Sequence, residues 1–146
     1  MSATVYADTS LLASLYLGDS NTTRALAAVA NAARPLILTN WQRFELENAF
    51  QLRLFRREST PADLSVAEAR LAEDLASGMI VATPLPFESV LPAARQLTAR
   101  HTAIAGTRAF DVFHVAAALH LRATRFLTFD SRQFELARAT GLRVSS

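Results

Sequence analysis

Short apolar runs alternating with stretches of helical length constrain this chain more than any other feature. Val5-Tyr6-Ala7, Leu36-Ile37-Leu38, Met79-Ile80-Val81 and Phe126-Leu127-Thr128 each read as a buried strand, and a last short one lies near Leu142-Arg143-Val144. Between them, residues 9–17, 21–33, 40–58, 65–77, 87–100, 110–122 and 131–140 have helical length and pattern. Ser65 and Glu68 have capping-box spacing, and Gly78 and Gly141 stand where helices stop. Strands alternating with helices predict an α/β fold, a parallel sheet covered on both faces. Nothing in the 146 residues marks a repeat or a linker, so one domain over 1–146 is expected.

Composition removes several functions. There is no cysteine, which excludes disulfides and thiolate metal sites and fits a cytoplasmic protein. All fifteen cations are arginine, and without lysine a P-loop has nothing to place on its phosphates. Arginine binds phosphate in a bidentate fork, so a nucleic-acid partner is compatible with the modest net charge of +2. No basic stretch leads into an apolar run at the N-terminus, and no apolar run approaches the about 18 residues of a membrane span.

The carboxylates are the informative residues. Asp8 and Asp130 each follow a strand directly, where open α/β sheets bind ligands beyond the carboxyl ends of their strands. Both also precede helices and suit N-caps, and Gln133 gives Asp130 capping-box spacing. On the helix after Asn40, Glu45 and Asn48 share a broad apolar face with Trp41, Phe44, Ala49, Leu52 and Phe55, while Glu47 points elsewhere. A core-facing glutamate needs a charged partner, either an arginine or a site. A second stripe, Leu46, Phe50 and Leu54, lies nearly opposite and must be covered too. Its cover is another helix of the chain, or a partner or dimer surface flanked by Arg43, Arg53 and Arg57. Asp111 stands in the first turn of a helix apolar nearly all round, with His114 three residues on as a buried, hydrogen-bonded imidazole. The three histidines, His101, His114 and His120, do not make a zinc site.

Four carboxylates brought together would raise one another's pKa values, and a hard divalent cation, Mg²⁺ or Mn²⁺, resolves that conflict. Such an ion supplies a Lewis acid and an activated water for phosphodiester hydrolysis. At this point Asp8 in YADTS, Glu45 in FELENAF, Asp111 in RAFDVFHVAAAL and Asp130 in FLTFDSRQ resemble the acidic quartet of a PIN-domain nuclease, especially the VapC-type toxins. The resemblance spans essentially the whole chain, with four individually weak motifs in the expected order. It implies a single PIN domain, a PIN-like three-layer sandwich with a parallel sheet of about four to five strands flanked by about seven helices. It also implies a metal-dependent endoribonuclease leaving 5′-phosphate and 3′-hydroxyl ends, a toxin that inhibits translation. Asp8, Glu45, Asp111 and Asp130 would hold the metal, and Thr9, Ser10, Asn48 and Thr128 would orient water or carboxylates around it. Arg108 would contact a phosphate of the RNA. The expected partners are a second copy in a homodimer and a small antitoxin in the active-site groove. Three other readings remain: a housekeeping RNA-processing nuclease without an antitoxin, an aspartate-based phosphatase, and a non-catalytic module whose acids serve as caps and ion pairs. The phosphatase lacks a second acid two residues after Asp8, where Ser10 stands.

Overall fold

The fold is taken from a computed structural model that describes residues 4–32 and 35–146. Five strands, β1 (Val5–Ala7), β2 (Leu36–Thr39), β3 (Ile80–Thr83), β4 (Arg125–Leu127) and β5 (Val144–Ser145), form one parallel sheet in the order β3-β2-β1-β4-β5. The helices are α1 (Thr9–Leu17), α2 (Thr22–Ala32), α3 (Asn40–Phe55), α4 (Pro61–Ser77), α5 (Phe87–Leu97), α6 (Ala103–Ala105), α7 (Ala109–His120) and α8 (Ser131–Ala139), with a π-helical turn, Thr98–Thr102, joining α5 to α6. Position 33, the predicted end of the second helix, lies outside the described residues.

β1, β2 and β4 sit where the apolar runs predict because both their faces are covered; β3, at the sheet edge, begins at Ile80 and leaves Val81 48% exposed, with Met79 before it 59% exposed. Val5, Ala7, Leu36, Leu38 and Leu127 point into one core with residues of α1 to α4. Tyr6, Ile37 and Phe126 point the other way, into a second core with α5, α7 and α8. Alternate side chains of one strand therefore feed two hydrophobic layers, and a strand buried on both sides loses the polar-apolar alternation of a surface strand.

Two local readings change. The fourth helix begins at Pro61, not at residue 65: Thr60 and Asp63 form a reciprocal capping box, and proline occupies the first turn. Proline there lacks only an N–H that would have no partner, so it reinforces the start. Ser65 instead donates to the Pro61 carbonyl inside the helix.

The larger change concerns α3. Leu46 and Phe50, expected on a partner or dimer surface, are 0% and 1% exposed in the core shared with α1, α2 and α4, and Leu54 packs partly buried against it. Their cover is this chain's own helices. Of the stripe expected to face the core, Phe44 is 64% and Phe55 84% exposed. The inward polar residue of α3 is Gln42, which donates to the Ala7 carbonyl at 2.8 Å and accepts from Thr39 N at 2.8 Å. Those two bonds turn α3 so that positions 42, 46 and 50 face inward, one turn apart.

Candidate active site

The chain runs from β1 outward to β2 and β3, then returns to add β4 and β5 on the other side of β1. The strand order thus reverses between β1 and β4, and at such a point the two outgoing connections diverge and open a crevice. Asp8 leaves β1 and Asp130 follows β4, one on each side of it. The N-terminus of α7 brings Asp111 to the same place: Gln133, whose backbone N–H is capped by Asp130, donates its side-chain amide to the Asp111 carbonyl at 3.4 Å, and the charges of Asp130 and Asp8 both act on Asp111.

Asp8 is 5% exposed and caps α1: its Oδ1 accepts from Leu11 N at 2.8 Å and from Ser10 Oγ at 3.0 Å. Its Oδ2 lies 2.7 Å from Thr128 Oγ1. Thr128 is buried and also lies 2.7 Å from Gln133 Oε1, while accepting from Asp130 N at 3.1 Å. A hydroxyl has one proton, so it cannot donate to both Asp8 and Gln133. A protonated Asp8 removes the conflict, donating to Thr128, which then donates to Gln133. Gln133 in turn donates to the Asp111 carbonyl at 3.4 Å.

Burial pushes the Asp8 carboxyl above its ordinary pKa of 3.8, against the opposing bonds from Leu11, Thr128 and Ser10. Asp111 is also raised, first by burial and then by the charge of Asp130, with Asp8 adding to it; His114 and Arg108 pull it back. Among the described residues, neither Asp8, Asp111 nor Asp130 forms an ion pair with a cation. The site gathers acidic oxygens with no cation in ion-pair contact, Arg108 acting on Asp111 only from a distance.

The sign of the linkage follows from the raised values. The folded protein holds protons that the unfolded chain releases, so this contribution is complete below the ordinary carboxylate pKa and fades as pH rises through the raised ones. In metal-free protein, Asp8→Asn is expected to gain melting temperature relative to wild type as pH goes from about 4 to about 8. Parallel thermal melts in chelator would show it, and a difference independent of pH would count against a raised Asp8.

Glu45 joins from α3. Its Oε1 accepts from Thr9 Oγ1 at 3.1 Å and lies 2.5 Å from His114 Nε2. The partner that meets it is thus a histidine, not an arginine. Thr9, Ser10 and Thr128 all bond to the acids, Thr9 to Glu45 and the other two to Asp8. Asn48 departs from expectation: it is exposed, in a surface depression with Glu47, Gln51 and Glu68. Arg108 is exposed at the N-cap of α7, near enough to act on Asp111. Asp130 is exposed and caps α8 through Gln133 N at 2.8 Å, while its charge raises Asp111. Capping and belonging to the acidic cluster coexist in this residue. Gln42 was missed by sequence reasoning, although the Thr39-to-Gln42 spacing is itself a capping-box signal, and Gln133 was read only as the capping partner of Asp130, not for its bonds to Thr128 and Asp111.

A doubly wound α/β sheet with an acidic crevice at its reversal point is the class that these features define. The sequence profile of the PIN domain matches residues 5–139, and the chain belongs to that family. Among solved structures it is similar to the VapC20 toxin of Mycobacterium tuberculosis, described as cleaving the sarcin-ricin loop. The TM-score is 0.64 at 20% identity, covering 94% of this chain and 95% of that one. FitAcB from Neisseria gonorrhoeae gives 0.64 at 19% identity, covering 97% of this chain and 96% of that one. PAE2754 from Pyrobaculum aerophilum gives 0.58 at 17%, covering 97% and 83%. No protein of curated function matches the sequence. Among the described residues no helix is long and apolar enough to cross a membrane.

Proposed function

We propose that the protein is a divalent-cation-dependent endoribonuclease, the toxin of a toxin–antitoxin pair of VapC type. The observation that carries this reading is the acidic crevice: Asp8, buried and raised in pKa, and Asp111, raised by the charges of both Asp130 and Asp8, with no cation paired to any of the three among the described residues. Like charges gathered at such cost suit a positively charged ligand. The donors are all oxygen, which suits Mg²⁺ or Mn²⁺. No three acidic or histidine side chains among the described residues stand close enough to encircle one ion. One or two carboxylates, Asp8 and Asp111 foremost, would therefore hold it directly, and Glu45 and Asp130 would act through water, as Mg²⁺ favours.

When bound, the cation supplies Lewis acidity and lowers the pKa of water for attack on a phosphodiester. The chain's part is positional. Ser10 and Thr128 fix the Asp8 carboxylate, Thr9 fixes Glu45, and Arg108 at the crevice edge is placed to meet a phosphate. The VapC20 toxin, similar in fold, supports a structured RNA as the substrate. A small antitoxin filling the crevice would hold the enzyme in check, and the exposed Phe44, Leu52 and Phe55 of α3 support a homodimer.

Purified protein incubated with a structured RNA and Mg²⁺ or Mn²⁺ is expected to release fragments with 5′-phosphate and 3′-hydroxyl ends, and chelator is expected to stop it. Cleavage that persists in chelator, or fragments ending in 2′,3′-cyclic phosphate, would sink the proposal.

A further inference from the structure

We propose that His114 is a positioning residue that fixes the Glu45 carboxylate at the rim of the crevice, with Tyr6 anchoring the imidazole from behind. The inference rests on the reading of Glu45 as part of the cation site. His114 lies on α7 and is 3% exposed. Its Nε2 faces Glu45 Oε1 at 2.5 Å, and its Nδ1 lies 2.7 Å from the Tyr6 hydroxyl. A carboxylate only accepts hydrogen bonds, so Nε2 must carry the proton, and in the neutral ring Nδ1 accepts from the phenol.

Tyr6 is built for that task. It is completely buried, and its ring stacks on Phe126 of β4, centroids 5.6 Å apart and planes 6° apart. Burial, with the charges of Glu45 and Asp8, holds its phenol far above the ordinary range, so it stays a donor. The relay Tyr6–His114–Glu45 therefore links β1 in the sheet, α7 beside Asp111 and α3 across the crevice. The imidazole and Thr9 both bond to Oε1, which leaves Oε2 to face a further partner.

Without this hold, a glutamate whose side chain is 29% exposed would sample several rotamers and meet a cation with only a fraction of them. Bonds of this kind, behind a metal-binding group, typically change metal affinity about 10- to 100-fold. Mn²⁺ titration of the full chain by calorimetry, together with the ¹⁵N spectrum of the imidazole, tests the assignment.

His114→Leu is expected to lose about 10- to 100-fold in Mn²⁺ affinity, and His114→Gln, whose amide donates from nearly the same place, to recover most of it. Tyr6→Phe is expected to weaken Mn²⁺ binding by a smaller factor and to move the Nδ1 resonance. The wild-type spectrum should show an Nε2-protonated ring, and Glu45→Gln should shift Nε2. Mn²⁺ affinity of His114→Leu equal to wild type, or a His114→Gln variant as weak as His114→Leu, overturns the proposal. Should His114→Leu fail to fold, unchanged Mn²⁺ affinity in Tyr6→Phe overturns it instead. Should wild type bind no Mn²⁺, the cation reading falls, and the spectrum still decides: an Nε2 resonance indifferent to Glu45→Gln overturns the positioning role.

Discussion

Asp8→Asn protein should fold, melt at or above the wild-type temperature without metal, and cleave RNA on the order of a thousandfold more slowly, a loss of about 4 kcal/mol at the transition state. Activity and stability move in opposite directions because the same carboxylate serves both. Asparagine is as good an N-cap as aspartate, so the bond from Leu11 N survives. The new amide nitrogen stands 2.7 Å from Thr128 Oγ1, where Oδ2 was, and donates to it. Thr128 then donates to Gln133 Oε1 at every pH, as it does in wild type only beside a protonated Asp8, and the buried charge of the ionised acid cannot arise. What is lost is an anionic oxygen at the centre of the acidic cluster, which no amide replaces toward a hard cation. Single-turnover cleavage assays with Mg²⁺, beside thermal melts with and without it, check both halves. Added Mg²⁺ should raise the wild-type melting temperature and leave that of the variant nearly unchanged. A variant that cuts at the wild-type rate would remove Asp8 from the chemistry.

Much of the fold was readable because the central strands are apolar on both faces and the helices between them have ordinary lengths. Asp8 was readable as a ligand position from the same logic, since a residue just past β1 stands at the edge of the sheet whatever else it does. The face of α3 was not. Trp41, Phe44, Leu52 and Phe55 make a stripe as apolar as Leu46, Phe50 and Leu54, and periodicity cannot say which of two apolar stripes is buried. Gln42 decides it, through a hydrogen bond to the Ala7 carbonyl that depends on where β1 ends. Hydropathy counts glutamine as a surface residue, so the deciding residue carried the wrong weight. The fourth helix shows a similar competition: Ser65-to-Glu68 and Thr60-to-Asp63 both have capping spacing, and Pro61 was the signal favouring the second. For Glu45 the charge balance required a partner, but not which one. His114 comes from a helix more than sixty residues away on the other face of the sheet, and only the assembled crevice joins them.

Phe50→Arg is expected to leave the chain unfolded, whereas Phe55→Arg, little more than one turn away, should fold normally. Phe50 is 1% exposed among Leu11, Leu12, Leu46 and Leu71, between α3 and the helices that cover it. Removing such a ring costs about 3–5 kcal/mol from the lost burial and the cavity. An arginine in its place adds several kcal/mol more, because the nearest groups are hydrocarbon and cannot pair with it. Against a total stability of about 5–15 kcal/mol for a domain of this size, the sum removes most or all of the folded population. Phe55 is 84% exposed at the end of α3, and an exposed substitution there should change stability by about 0.5 kcal/mol or less. If α3 pairs two copies through its exposed aromatic side, Phe55→Arg should instead lower the mass in solution while leaving the circular dichroism spectrum unchanged. Urea titration followed by circular dichroism, run beside light scattering, separates these outcomes. A folded Phe50→Arg protein of altered mass would return Leu46, Phe50 and Leu54 to the surface and refute the packing of α3 against α1.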